Sequence, residues 1–172
     1  MDVELEPFNA AEHLGGAAEV LHRVRAATKT YPPPVEADDT RESFSTWLDD
    51  GEDYLGRWVA LGDSRVIGHI SVVEPHDYIL RFLDTLDLGA VRRRGLMEIT
   101  KFFVDPDVQR GGVGSRLFAR ALDFATGSEL TPVLAVVSTS SDARRFYGRE
   151  GMTEVGQFEG RHGTNHVFTL FR

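Results

Sequence analysis

The sequence predicts an α/β (α+β) fold, and three observations carry the prediction. An apolar, β-branched and aromatic run at 96–104 stops at Asp105-Pro106, passes through a glycine-rich loop, and gives way to helical apolar spacing at Val113, Leu117, Ala121 and Phe124. Two stretches, 57–73 and 153–171, read as strand pairs joined by turn residues. A short apolar run at 132–137 follows the helix, as a buried strand does when a helical crossover returns it parallel to its predecessor. With 172 residues, 41% of them hydrophobic, one domain spanning 1–172 is expected, large enough to build a core.

Taken in order, residues 3–8 alternate weakly (Val3, Leu5) and predict a first strand ending at Pro7. Residues 10–27 place Leu14, Ala17, Ala18, Leu21 and Val24 at helical spacing, an amphipathic helix in spite of Gly15-Gly16. Thr30-Tyr31-Pro32-Pro33-Pro34 ends it, and the proline run reads as a stiff connector before a recognition motif. A short helix with Phe44, Trp47 and Leu48 on one side follows. The hairpin comes next, 57–61 and 66–73 about a turn at Gly62-Asp63. His69 and Glu74 lie in or beside its second arm, where exposed polar positions of a half-buried sheet are favoured over ligand contacts. Residues 75–95 place Tyr78, Ile79, Phe82, Leu83 and Leu86 at helical spacing and close on Arg92-Arg93-Arg94, read as a solvated loop ahead of an anion site.

In the 96–104 run, Ile99, Phe102 and Val104 step by three and then by two, so one extra residue fits a β-bulge. The terminal hairpin is expected at 153–158 and 166–171, linked through Gly160, Gly163 and Asn165. His162 and His166 are four apart, but the glycine between them argues for a loop, and no metal site is expected.

Composition excludes several functions. Acidic residues exceed basic ones by 27 to 19, a formal charge of −8 that repels nucleic acid and anionic membrane and suits a cationic or amine-bearing substrate. Without cysteine there is no disulfide framework, thiol nucleophile or zinc–thiolate site. The first residues lack a basic n-region and an apolar h-region, and no apolar run approaches membrane-spanning length, so a cytoplasmic location is expected.

The glycine loop is the chemical focus. Glycines that open a helix gather bare backbone N–H groups at the positive end of the helix dipole, a place suited to a phosphate. A nucleotide-binding P-loop would need lysine after the glycines, but Ser115 and Arg116 follow Gly114. Gly111, Gly112 and Gly114 also lack the dinucleotide-binding spacing. The spacing present is Gln109-x-x-Gly112-x-Gly114, after Val104-Asp105-Pro106 and before a helix. It resembles the Q/R-x-x-G-x-G/A signature of the GNAT superfamily, the N-acyltransferases that use acyl-coenzyme A. A second stretch, S-S-D-A-R-R-F-Y-G-R-E-G-M, resembles that family's N-x-x-A-x-x-x-Y-x-x-x-G-F, with Ala143, Tyr147 and Gly151 in register, Ser140 where asparagine is frequent, and Met152 for phenylalanine.

The resemblance covers the chain from about residue 57 onward. It implies a mixed, largely antiparallel central sheet with a splay between two parallel central strands and helices on both faces. It implies acetyl-CoA as cosubstrate, with no metal, held along Phe102, Phe103 and Val104 of the strand, at Gln109, Arg110, Gly111, Gly112, Val113, Gly114 and Ser115, and at Ser140. Counting back from Gln109 by the family spacing places a general base at Glu98, for which a strand-end charge paired to an arginine is the alternative. Tyr147 takes the place of the general acid; a phenol, with an ordinary pKa of about 10, matches a leaving thiol and is protonated at neutral pH. The expected reaction is acetyl transfer from acetyl-CoA to a primary amine of a small molecule or peptide by direct attack. The alternative is a non-catalytic acyl-CoA sensor. No nucleic-acid or membrane partner is expected, and the resemblance leaves a homodimer open.

Overall fold

The computed structural model describes residues 2–32, 39–86, 95–108 and 111–170. Gln109, Arg110, the Arg92–Arg94 run and Pro33-Pro34 lie outside the described residues. Seven strands form one sheet in the order β1-β2-β3-β4-β5-β7-β6. It is mostly antiparallel, with β4 (Leu96–Val104) and β5 (Thr131–Val137) as its parallel pair. The parallel register covers Leu96↔Thr131, Met97↔Pro132 and Glu98↔Val133, three pairs in strands of nine and seven residues, so pairing stops at Glu98. The chain forms two compact units, Met1–Val72 with Thr100–Ala121, and Val73–Ile99 with Leu122–Arg172.

In the first unit, β1 (Val3–Pro7) pairs antiparallel with β2 (Tyr54–Gly62), Leu5 opposite Ala60. Helix α1 (Ala10–Thr28) starts at Asn9, whose side chain accepts from the Ala11 N–H at 3.0 Å, and stops at Lys29, whose φ of 62° cannot continue a helix. It runs through Gly15-Gly16, and Gly16 has a packing reason to be there. A Cβ at that position would stand 3.0 Å from Val66 Cγ2, on β3 (Arg65–Val73), so glycine lets the helix lie this close to the strand without displacing the valine. Helix α2 (Arg41–Leu48) is capped by Thr40 and buries Phe44 and Leu48.

Consecutive strand residues point to opposite faces. Val59 and Phe103 accordingly join the core of α1 and α2, with Ala17, Leu21, Phe44 and Leu48. Their neighbours face α4 (Val113–Gly127), where Arg120 lies over Trp58 at 4.9 Å and Phe118 meets Phe102 at 6.0 Å. Helices thus cover both faces.

In the second unit, α3 (Asp77–Asp84) buries Ile79 and Leu83 with Val133 of β5 and Val167 of β7 (Gly163–Thr169). On the next residue, Phe168 faces the other way and meets Tyr147 of α5 (Ser141–Arg149) at 5.9 Å. Strand β6 (Thr153–Gly160) pairs antiparallel with β7.

Two details differ from the sequence reading. The β2–β3 turn is at Asp63-Ser64 in place of Gly62-Asp63, because both residues adopt the positive φ (50° and 62°) of a tight hairpin turn whose twist matches the strands. The terminal strands are longer toward their turn, since Gly160 pairs with Gly163 and the glycines expected in a loop are ladder residues. No helix among the described residues is long and apolar enough to cross a membrane.

Candidate active site

The glycine loop lies in the first unit, between a single 3-10 turn (Pro106–Val108) and α4. Asp105 organises its start. Its carboxylate takes the Asp107 N–H at 3.1 Å and is clamped by the Arg23 guanidinium of α1, while its own N–H donates to the Ile67 carbonyl at 2.9 Å. The hydrogen bonds Arg23 donates to Asp105 raise its guanidinium above the ordinary value and outweigh the opposing effect of burial. The Gly111 N–H donates to Val108 O at 3.2 Å, and a Cβ on Gly111 would stand 3.2 Å from that same oxygen. Gly112 has φ +76°, a conformation side chains resist, and is exposed.

Helix α4 opens at Val113, Gly114 and Ser115, whose N–H groups have no partner within the helix. Its first turn holds no acidic residue. Small residues, a positive φ and the N-terminal end of a helix fit a phosphate-bearing ligand such as acetyl-CoA.

Strand β4 kinks at the place where the bulge is expected. Lys101 has φ 49°, a left-handed value that costs a residue with a Cβ about 1–2 kcal/mol. Two side chains of β3 hold carbonyls at this kink: the His69 ring Nδ1–H donates to Lys101 O at 2.7 Å, and the Ser71 hydroxyl to Thr100 O at 3.0 Å. His69 is fully buried, stacked on Phe103 at 5.3 Å and met edge-on by Phe8. It is therefore a core residue, neither an exposed polar position nor a ligand contact; burial lowers its pKa to about 3, so the ring stays neutral. The Lys101 ammonium, also buried, donates to Asp50 at 2.6 Å and to the Tyr54 hydroxyl, beneath the Trp47 ring at 5.3 Å. Burial raises the Asp50 carboxyl, but the bond and charge of Lys101 outweigh it and leave it below its ordinary range. The kink is thus held from both sides, by His69 and Ser71 on its carbonyls and by Asp50 and Tyr54 on the Lys101 ammonium.

Glu98 lies in the second unit, 3% exposed. It is paired to no arginine among the described contacts. Its Oε2 accepts from the His76 backbone N–H at 3.0 Å and from His76 Nδ1–H at 2.6 Å, and its Oε1 accepts from the Tyr78 hydroxyl at 2.7 Å. His76 is the residue that starts α3, and its ring stacks on Tyr78 at 5.5 Å with 13° between planes. Glu98 and His76 are 22 residues apart, so no local spacing announces the pair. The only hint in the sequence was the helical spacing that begins at Tyr78.

Tyr147 is buried on α5 in the same unit, and burial raises its pKa above the ordinary phenol value, so it holds its proton throughout the neutral range. Ser140 stands at the start of α5 and its hydroxyl makes no capping bond to that helix. Met152 is buried, as an apolar replacement should be. His166 is half of a side-chain pair with Glu154, at 2.6 Å, and His162 is exposed in the β6–β7 turn. No group of three or more histidine, aspartate or glutamate side chains among the described residues could hold a metal ion.

Solved structures share this architecture over the whole chain. PaiA N-acetyltransferase from Thermoplasma acidophilum, solved in complex with coenzyme A, aligns with a TM-score of 0.68 at 15% identity over 100% of both chains. Arabidopsis thaliana NAA60 with a bisubstrate analogue aligns with a TM-score of 0.69 at 18% identity, over 99% of this chain and 98% of its own. An acetyltransferase from Streptococcus agalactiae aligns with a TM-score of 0.69 at 15% identity, over 99% of this chain and 98% of its own. Among curated proteins no sequence matches. The family model for acetyltransferases of the GNAT family matches residues 21–152. That span includes the clamp at Arg23 and Asp105, the glycine loop, Glu98 and Tyr147, and the chain belongs to the GNAT acetyltransferase family.

Proposed function

We propose that this chain transfers the acetyl group of acetyl-CoA to a primary amine of a small molecule or peptide by direct attack, working as one domain over 1–172 in the cytoplasm. The observation that carries the reading is the buried Glu98 carboxylate, held on both oxygens by side chains of the segment that follows β3. A carboxylate removed from water and fixed by donors has a defined direction in which to attract an ammonium group. An alkylammonium must lose a proton before its lone pair can attack a thioester, and Glu98 serves that step. The glycine loop and the first turn of α4, with Gln109, Arg110 and Ser140, hold the phosphates and the arm of the coenzyme. The backbone N–H near Phe102 steadies the carbonyl oxygen as charge develops on it. Tyr147, kept protonated by burial, supplies the proton to the leaving thiolate. A neutral amine is nucleophilic enough that no covalent enzyme intermediate is needed.

The test is thiol release from acetyl-CoA in the presence of pooled polyamines, aminoglycosides, amino acids or short peptides. The protein has no cysteine, so every thiol detected belongs to the coenzyme. Release with one pool is expected, and Glu98→Gln and Tyr147→Phe should each lower kcat about 10²–10⁴-fold while keeping the thermal shift that acetyl-CoA produces. Unchanged turnover in both variants would remove the assigned roles. A thermal shift with no release in any pool would favour an acyl-CoA sensor.

A further inference from the structure

The glycine loop is steadied by a residue far from it in sequence. Arg23, on α1, lies 82 positions from Asp105 and meets both oxygens of its carboxylate. Its Nε–H donates to Oδ1 at 3.4 Å and an Nη2 hydrogen to Oδ2, while Nη1 donates to Glu19 Oε1 at 3.1 Å. Donors spread over two carboxylates in one rigid plane fix the orientation of the Asp105 side chain, which the single flexible ammonium of a lysine cannot do. Only 8% of that aspartate side chain is exposed.

The start of the loop depends on that orientation. Asp105 Oδ1 also accepts the Asp107 N–H at 3.1 Å, and the Asp105 carbonyl accepts the Val108 N–H at 3.0 Å, which together close the 3-10 turn. Val108 O then accepts from the Gly111 N–H at 3.2 Å, and Gly112 O from the Arg116 N–H at 3.0 Å, in the first turn of α4. Hydrogen bonds thus lead stepwise from α1 to the start of α4. Without its cation, Asp105 would be a buried charge with no counterion, which must turn toward water or take up a proton. Either change weakens its hold on the Asp107 N–H.

From this geometry we propose that Arg23 is a positioning residue for coenzyme binding: acting through Asp105, it sets the shape of the glycine loop and so the affinity for acetyl-CoA, not the rate of acetyl transfer. The proposal rests on the reading above that assigns this loop to the coenzyme. Arg23 itself lies outside both sequence signatures.

Arg23→Met keeps the apolar stem and removes the guanidinium. Calorimetric titration with acetyl-CoA should show binding about tenfold weaker in Arg23→Met, and weaker by a smaller factor in Arg23→Lys, which restores the charge without the fork. Asp105→Asn retains an acceptor for the Asp107 N–H but loses the charge that Arg23 grips, so it should weaken binding to a similar extent. Because Arg23 acts through Asp105, the double variant should bind no more weakly than Arg23→Met alone. A double variant weakened by the product of the two single factors would show independent effects and overturn the proposal. With an amine pool that gives thiol release, the KM for acetyl-CoA should rise in step with the Kd while kcat at saturating acetyl-CoA stays within about twofold; a lowered kcat at unchanged KM overturns it as well. Should Arg23→Met fail to fold, Arg23→Lys and Asp105→Asn carry the same comparison, and parental affinity in both is the overturning result. If the parent binds acetyl-CoA and Arg23→Met binds within about twofold of it, the proposal fails while the coenzyme reading stands. If the parent itself does not bind acetyl-CoA, the coenzyme reading fails and the proposal with it.

Discussion

A single buried imidazole bears on both stability and the geometry of the central strand. His69 gives its Nδ1–H to the Lys101 carbonyl at the point where β4 kinks. Replacing it by leucine keeps the bulk but leaves that carbonyl without the bond, which should cost about 1–3 kcal/mol in urea unfolding. The same residue sets a pH dependence. Its pKa is about 3 in the folded chain against an ordinary 6.5, so between those values the unfolded chain binds the extra proton. The contribution is therefore intact above pH 6.5 and is lost as pH falls toward 3, amounting to about 2 kcal/mol between pH 7 and pH 5. In His69→Asn, where the donor remains and the titrating ring is gone, the fall in stability over that interval should be smaller than in the parent by about this amount. An equal fall in both would show that the ring is not buried neutral.

At the scale of elements, the strand–loop–helix unit is the part whose shape and chemistry coincide. Asp105 ends β4, the Arg23 clamp ties the turn to α1, and the glycines carry the chain into α4 where a side chain would be strained. Gly112→Ala forces a Cβ into φ +76°, at about 1–2 kcal/mol. If that strain is relieved by a shift of the loop N–H groups, the KM for acetyl-CoA should rise about tenfold, since 1.4 kcal/mol is a factor of ten in affinity. The expected result is a raised KM with kcat kept within a few fold. A lowered melting temperature with an unchanged KM would show that the loop keeps its geometry and merely becomes less stable. The terminal hairpin and the α3 segment show the same economy: Val133, Val167, Ile79 and Leu83 form one face and Phe168 meets Tyr147 on the other, so strand alternation alone assigns each helix its side.

For the whole molecule the governing quantity is charge. A net −8 attracts cations over distances comparable to the Debye length, about 8–10 Å near physiological ionic strength. Among active acceptors, polycations should therefore show a KM that rises with added salt more steeply than that of monoamines of similar size; equal slopes would show that the surface field takes no part in capture. The order of elements, the single parallel pair and the glycine loop were legible in the sequence, because they depend on local patterns: period-two and helical apolar spacing, turn residues, and glycines opening a helix. Glu98 and Tyr147 were reached only through the resemblance of two stretches to the GNAT signatures. What the sequence could not show was the company these residues keep. His69 in the core under the bulge, the grip of Asp50 and Tyr54 on Lys101, and the His76 and Tyr78 donors on Glu98 all join residues between 20 and 51 positions apart. Such contacts depend on which strand lies beside which and on where a kink turns a carbonyl, and no pattern along the chain records either. Local periodicity determined the scaffold, and the resemblance to the GNAT signatures pointed to the carboxylate; tertiary packing decided which groups hold that carboxylate and which of them reach solvent.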